Sequence, residues 1–317
     1  MSASLVPYNR YEAQNAYQRL QATLSPVSAE AIVEIKTFLK MFPDVALAHN
    51  DLGVLYNATG NQLQALAHYE KANRLQPNTP VVIKNLAEFY YAVLGWSDDA
   101  IDMLTALLKV YPDDFEVLTA LGEISIQVGR PDEARVFLRK ALQSDPDNQQ
   151  LRDRMAQIDG PVSASEYRTP VEPSSSAPAS VGGTDELSES EAAFQQMLAQ
   201  NPRNALAHNN LAIIWMQRGD FEAACHHFEQ AVQCEPENST YKKNLADLYY
   251  THFGKTDEAI EIYTQLLKFH PKDTELLTSL AIVAQANQLR EQARTFIRRV
   301  LELEPWNTEA REFLAGL

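Results

Sequence analysis

Proline returns along this chain at an almost constant interval. It stands at Pro43, Pro77, Pro112 and Pro146, then at Pro202, Pro236, Pro271 and Pro305, with spacings of 34, 35 and 34 residues in each series. A period of that size marks a repeat architecture, in which one supersecondary unit buries its apolar face only against its neighbours. Between the prolines a second pattern recurs. Leu52-Gly53, Tyr56, Gly60, Ala65, Tyr69 and Ala72 are restated as Leu121-Gly122, Gly129, Ala134, Leu138 and Ala141. Leu211-Ala212, Trp215, Gly219, Ala224, Phe228 and Ala231 state it again.

Each unit reads as a helical hairpin. Leu52, Leu55 and Tyr56 share one helix face, and Gly60 falls where a helix end needs a left-handed residue. Ala65, Tyr69, Ala72 and Leu75 form the apolar stripe of the second helix. Gly53 or Ala87 on the first helix, and Ala65 or Ala100 on the second, let two backbones approach closely. Each proline ends a second helix. Two residues on comes Asp114, Asn148, Asn204, Asn238, Asp273 or Asn307, a good N-cap. Thr79 takes the same place, and Val45 alone departs from the rule.

These residues resemble the tetratricopeptide repeat, whose Leu-Gly, Tyr, Ala, aromatic and proline positions over 34 residues match at least six units. The resemblance covers roughly residues 27–157 and 187–315. It implies an all-α solenoid of helical hairpins. Shifting the chain by 159 residues then lays Pro43 on Pro202, His49 on His208, His68 on His227 and Lys84-Asn85-Leu86-Ala87 on Lys243-Asn244-Leu245-Ala246. The one-residue insertion that displaces Gly95 also displaces Gly254. A three-repeat module has been duplicated in tandem.

The expected organisation is a first module over 1–158, with repeats at about 45–78, 79–113 and 114–147 and an end helix at 148–157. A second module over 187–317 has repeats at about 204–237, 238–272 and 273–306 and an end helix at 307–315. Tyr11, Ala16, Leu20 and Leu24 suggest a capping helix within 8–24. The Ser/Pro/Gly-rich stretch 159–186 lacks the apolar content to pack and reads as a disordered connector. Either it joins two independent solenoids, or helix 148–157 and a helix over 187–200 form one interrupted hairpin of a continuous array. Both readings stay open on the sequence.

The formal net charge of −15, from 27 Lys and Arg against 42 Asp and Glu, argues against nucleic acid or an anionic membrane as partner. Cys225 and Cys234 fall nine residues apart on one expected helix, about 13 Å along its axis, too far to bridge. With no apolar run in the first twenty residues and no membrane-length apolar stretch, the expected location is cytoplasmic. There is no phosphate loop, no His-Glu-x-x-His and no Cys pair at metal-ligand spacing. The chain is therefore expected to be no enzyme and to need no metal or cofactor. His49 and His208 stand where the family often carries Trp and are expected to pack.

The resemblance implies a binding surface along the first helices, holding an extended peptide or a partner helix. Four positions recur there in both halves: Asn50, Lys84, Glu88 and Tyr91 against Asn209, Lys243, Asp247 and Tyr250. Lys and Asn would hydrogen-bond a peptide backbone or carboxylate, and Tyr would add a low-entropy apolar contact. The competing reading is that duplication merely preserved them, with Lys84 and Glu88 an i, i+4 pair. A two-carboxylate clamp for chaperone tails needs bases on three successive first helices. The third here supplies Glu116, Thr119, Ala120 and Glu123. The function expected is a scaffold or adaptor for a protein or peptide partner. Self-assembly is one alternative. Another is a regulatory or targeting subunit of an enzyme such as a glycosyltransferase or methyltransferase.

Overall fold

The computed structural model describes residues 10–24, 28–159 and 184–317, so the connector expected over 159–186 lies almost wholly outside the described residues. Among the described residues every regular element is helical. Helices α1 (Arg10–Gln21) and α2 (Ala29–Met41) precede three hairpins. These are α3 (Ala46–Ala58) with α4 (Gln62–Leu75), α5 (Pro80–Ala92) with α6 (Ser97–Leu108), and α7 (Phe115–Gln127) with α8 (Pro131–Ser144). Then come α9 (Gln149–Asp159), α10 (Thr184–Gln200), and α11 (Ala205–Gln217) with α12 (Phe221–Cys234). Helix α13 (Ser239–Leu248) runs into a π-helical turn (Tyr249–Phe253) before α14 (Thr256–Phe269). Helices α15 (Thr274–Ala286), α16 (Arg290–Leu303) and α17 (Thr308–Gly316) complete the chain.

The caps behave largely as the side chains dictate. Asp114, Asn148, Asn204, Asn238, Asp273 and Asn307 each accept a backbone N–H of the helix they open. Thr79 does not cap, contrary to expectation; Pro80 instead occupies the first helical turn of α5. A proline there opens the helix with a preset φ and without a donor that would otherwise lack a partner. Gly60, Gly129 and Gly219 close their first helices at φ +76 to +80°. The hairpin link is then sealed by an N–H to the carbonyl five residues back, as in Asn61 to Tyr56 and Asp220 to Trp215. In the two repeats with an inserted residue the same bond spans six residues, Trp96 to Tyr90 and Lys255 to Tyr249. The π-helical turn at Tyr249–Phe253 is where one insertion is absorbed, the usual way a helix accommodates an extra residue.

Small residues set the helix spacing inside each hairpin. Ala65, Ala87 and Ala100 are fully buried. A Cβ built on Gly53 would lie 2.6 Å from the Tyr69 ring, so this glycine is what lets α3 and α4 touch. The N-terminal helix does pack, through Ala13 and Tyr17 rather than Tyr11, which is 70 % exposed. The Tyr17 hydroxyl donates to Asp51 at 2.7 Å and joins α1 to α3.

Two compact units emerge: residues 1–160 together with 267–317, and residues 161–266. They do not coincide with the duplicated halves. In the first unit, α16 lies against α4, with the Glu70 carboxylate between them accepting from Gln292 Nε2 and Thr295 Oγ1, each at 3.0 Å. Phe296 meets Trp96 edge-on at 5.9 Å, and Arg299 donates to Asp99 at 2.9 Å. Glu70 is 8 % and Gln292 3 % exposed, so this is an interior contact with a polar centre. Burial raises the Glu70 pKa against the pull of those donors.

The histidines at the expected Trp positions pack in matched pairs. His49 Nε2–H donates to the Pro43 carbonyl at 2.9 Å, and because that carbonyl can only accept, its Nδ1 is left as an acceptor. His68 Nδ1–H fills it at 2.9 Å. In the second unit His208 repeats this with Pro202 at 3.1 Å and His227 at 3.0 Å. The rings overlap as well, with His68 stacked between His49 and Tyr56. Burial lowers the His49 pKa to about 4 and, with the neighbouring His49, the His68 pKa to about 3.

Candidate functional site

The recurring first-helix residues divide into three structural classes. Asn50 on α3 and Asn209 on α11 are 2 % and 5 % exposed, which corrects the expectation that they face a ligand. Each Oδ1 accepts an amide N–H from the next first helix, Asn85 to Asn50 at 2.9 Å and Asn244 to Asn209 at 2.8 Å. These amide pairs stitch successive repeats together. The 159-residue correspondence shows Asn85 and Asn244 recurring, but not that each is half of a ladder.

Lys84 is the second class. Its ammonium pairs with Glu116 and lies 3.8 Å from Asp114, both at the start of the next first helix, and its side chain keeps 21 % exposure. The i, i+4 partnership expected with Glu88 is replaced by this cross-repeat one. The geometry favours it, since Asp114 and Glu116 also sit at the positive end of the α7 dipole. One helix further, Arg154 of α9 pairs with Glu123 of α7 at 3.0 Å. The bases on this side of the first unit are thus committed to acids of neighbouring helices.

Glu88 and Tyr91 form the third class. Glu88 is exposed on α5 and Tyr91, one turn later, is half-buried. Burial and then the Glu123 charge raise the Tyr91 phenol pKa, so it stays a neutral hydroxyl. Val54 on α3 is 39 % exposed beside them in the repeat order. What this face offers solvent is a carboxylate, a neutral phenol and aliphatic surface.

The second unit departs from the first at the matching positions. Asp247 accepts from the Tyr263 hydroxyl at 2.6 Å. Tyr250 lies half-buried within the π-helical turn, and Lys243 is half-buried on α13. Asn50 and Asn209 thus keep the same bond in both units, whereas Glu88 is exposed and Asp247 accepts from Tyr263.

No three His, Cys, Asp or Glu side chains converge as metal ligands among the described residues. A recess lined by Gln14, Asp44, Leu47, Leu75 and Gln76 has a volume of about 30 Å³, room for a single water. Cys225 and Cys234 are both free; burial and the adjacent Glu229 carboxylate push the Cys225 thiol up to about 11, which makes it a poor nucleophile. No helix among the described residues is long and apolar enough to cross a membrane.

Comparison with known proteins follows the same geometry. Family profiles described as tetratricopeptide repeat match residues 28–80, 97–158, 205–238 and 250–317. The chain is 23 % identical over 278 residues to stress-induced-phosphoprotein 1 of Caenorhabditis elegans, covering 85 % of this chain and 76 % of that protein. It is 33 % identical over 92 residues to small glutamine-rich tetratricopeptide repeat-containing protein 2 of Mycosarcoma maydis, covering 29 % of this chain and 26 % of that one. Among solved structures it is similar to YrrB, described as a TPR protein with an unusual peptide-binding site. The TM-score is 0.37 and the identity 16 %, covering 68 % of this chain and 97 % of that one. It is also similar to the APC/C Cut9–Hcn1 hetero-tetramer, at TM-score 0.35 and 16 % identity, covering 91 % of this chain and 45 % of that one.

Proposed function

Because the chain belongs to the tetratricopeptide-repeat family, we propose that it is a non-catalytic interaction scaffold whose first-helix face in the first unit holds a peptide bearing a cation beside an apolar side chain. The protein-interaction role follows from the family. The choice of ligand rests on one observation: Lys84 and Arg154 are already paired with Glu116 and Glu123, while Glu88 is exposed. An incoming carboxylate would have to displace an existing acid. An incoming Lys or Arg meets Glu88, and the adjacent aliphatic side chain meets the half-buried ring of Tyr91, a low-entropy anchor.

Calorimetric titration of the full chain with two peptide pools, one Lys/Arg-rich and one Asp/Glu-rich at matched hydrophobicity, tests this. The basic pool should bind, and Glu88→Lys and Tyr91→Ala should each weaken its best member by about tenfold, a loss of about 1.4 kcal/mol. Preference for the acidic pool, or indifference to both substitutions, refutes the assignment.

A further inference from the structure

Helix α16 has two contact sides. It packs on α15 and α17, and Ala293, Ile297 and Val300 form a fully buried stripe along it. Shifted by 159 positions these are Ala134, Leu138 and Ala141 of α8, where Leu138 lies against Gly122 of the hairpin partner α7. That stripe therefore belongs to the hairpin. The other side carries Gln292, Thr295, Phe296 and Arg299. It meets Glu70 of α4, Trp96 at the head of α6 and Asp99 of α6. The spacing of those four residues, i, i+3, i+4 and i+7, is the register in which an amphipathic helix lies in a groove.

The receiving surface is complete without α16. Tyr69 of α4 lies against Gly53 of α3, and Ala100, Leu104 and Leu107 of α6 share a core with Ile83 and Ala87 of α5 and Leu121 of α7. Both hairpins thus hold their own helices. The duplicated positions show a related surface with no cover. Glu229, 159 residues after Glu70, is exposed and accepts the Tyr249 hydroxyl at 2.9 Å, as Glu70 accepts that of Tyr90 at 3.4 Å. The α16 contact, by contrast, carries costs. It takes the Glu70 carboxylate out of water, and it buries Trp96 Nε1 and Arg299 Nε with no acceptor among the described residues. Donors buried in this way lose hydration that no new bond replaces. A contact with a polar centre, between parts that each hold together, behaves like a transient protein–protein interface.

We propose that the α4–α6 face is a helix-binding site held closed by α16, and that a partner helix presenting an amide, a hydroxyl, a phenyl ring and a guanidinium at the same four positions takes it when α16 leaves. The occupant is specified by what is seated there. The amide of Gln292 and the hydroxyl of Thr295 satisfy Glu70, the Phe296 ring meets Trp96 edge-on, and the Arg299 guanidinium pairs with Asp99. The site lies on second helices and so is separate from the first-helix face of α3, α5 and α7. In the closed chain only a fraction of molecules offers it, so the apparent dissociation constant of a partner is the intrinsic one divided by that fraction. Weakening the hold of α16 raises the fraction without touching the site.

The probe is a fluorescent peptide of residues 288–305, the α16 sequence, titrated by anisotropy against the full chain. Arg299→Glu in the chain opposes Asp99 with a like charge. It should tighten peptide binding about tenfold or more over wild type, with unchanged circular dichroism. Thr295→Val, at a half-buried site, is the milder second variant and should shift binding in the same direction. Phe296→Ala or Arg299→Ala in the peptide alone should each weaken binding about tenfold or more. Glu88→Lys in the chain should leave it unchanged. A peptide that binds none of the chains, binding as tight to wild type as to both weakened chains, or indifference to both peptide substitutions would overturn the proposal. Sensitivity to Glu88→Lys would overturn it as well, by placing the peptide on the first-helix face.

Discussion

Acidification loads the His49–His68 pair, whose imidazolium forms burial disfavours. In the folded chain the His49 pKa lies at about 4 and that of His68 at about 3, both below the ordinary 6.5, because burial disfavours the imidazolium. The unfolded chain therefore binds more protons than the folded one below the ordinary value, and stability rises with pH in that window. It is fully present above about pH 6.5 and is lost as the pH falls toward the folded values. Between about pH 7.5 and about pH 5 each of these histidines contributes a loss of about 2 kcal/mol, hence about 4 kcal/mol for the pair. His227 is shifted in the same direction by burial and by His208, and adds to the loss. Glu70 acts with the opposite sign: its raised pKa means that protonation favours the folded state as the pH falls. The discriminating measurement is therefore a difference. Guanidinium unfolding followed by circular dichroism, at steps from about pH 7.5 to about pH 5, is compared for wild type and His68→Gln. The glutamine amide can still donate to His49 Nδ1 but does not titrate, so the decline should shrink by about 2 kcal/mol. Parallel stability–pH curves for the two proteins would refute the reasoning.

Asn85→Leu should destabilise by about 1–3 kcal/mol, because the Asn50 Oδ1 it serves is buried and would lose its amide donor; equilibrium denaturation reads this, and a change within error would remove the ladder from the energetics. Gly53→Leu should cost about 1–3 kcal/mol or more through overpacking against Tyr69, and combining it with Tyr69→Ala should recover part of the loss; simple additivity would show that the two side chains do not compete for one space.

The helices, their ends and their pairing were legible along the chain because they depend on local rules. Proline cannot continue a helix, a left-handed closing residue favours glycine, and Asp or Asn two residues after each proline caps the next helix. The repeat period and the 159-residue correspondence likewise need nothing beyond one-dimensional comparison. What escaped is what depends on distance in space. Asn50 and Asn209 read as surface residues because a helical period does not say whether the next repeat covers a position, and here the amides of Asn85 and Asn244 do. By spacing Lys84 has Glu88 within reach, and only the packing of α7 beside α5 brings Glu116 to it instead. Thr79 looked like a cap, yet α5 opens on Pro80 with no side-chain cap bond from Thr79. The sequence alone thus determined an all-α array of tetratricopeptide hairpins and its duplication. Tertiary structure decided which copy of each duplicated residue is spent internally. Identical residues at equivalent positions acquire different roles once α16 buries Glu70 and leaves Glu229 in water, because burial is a property of the neighbour and not of the residue.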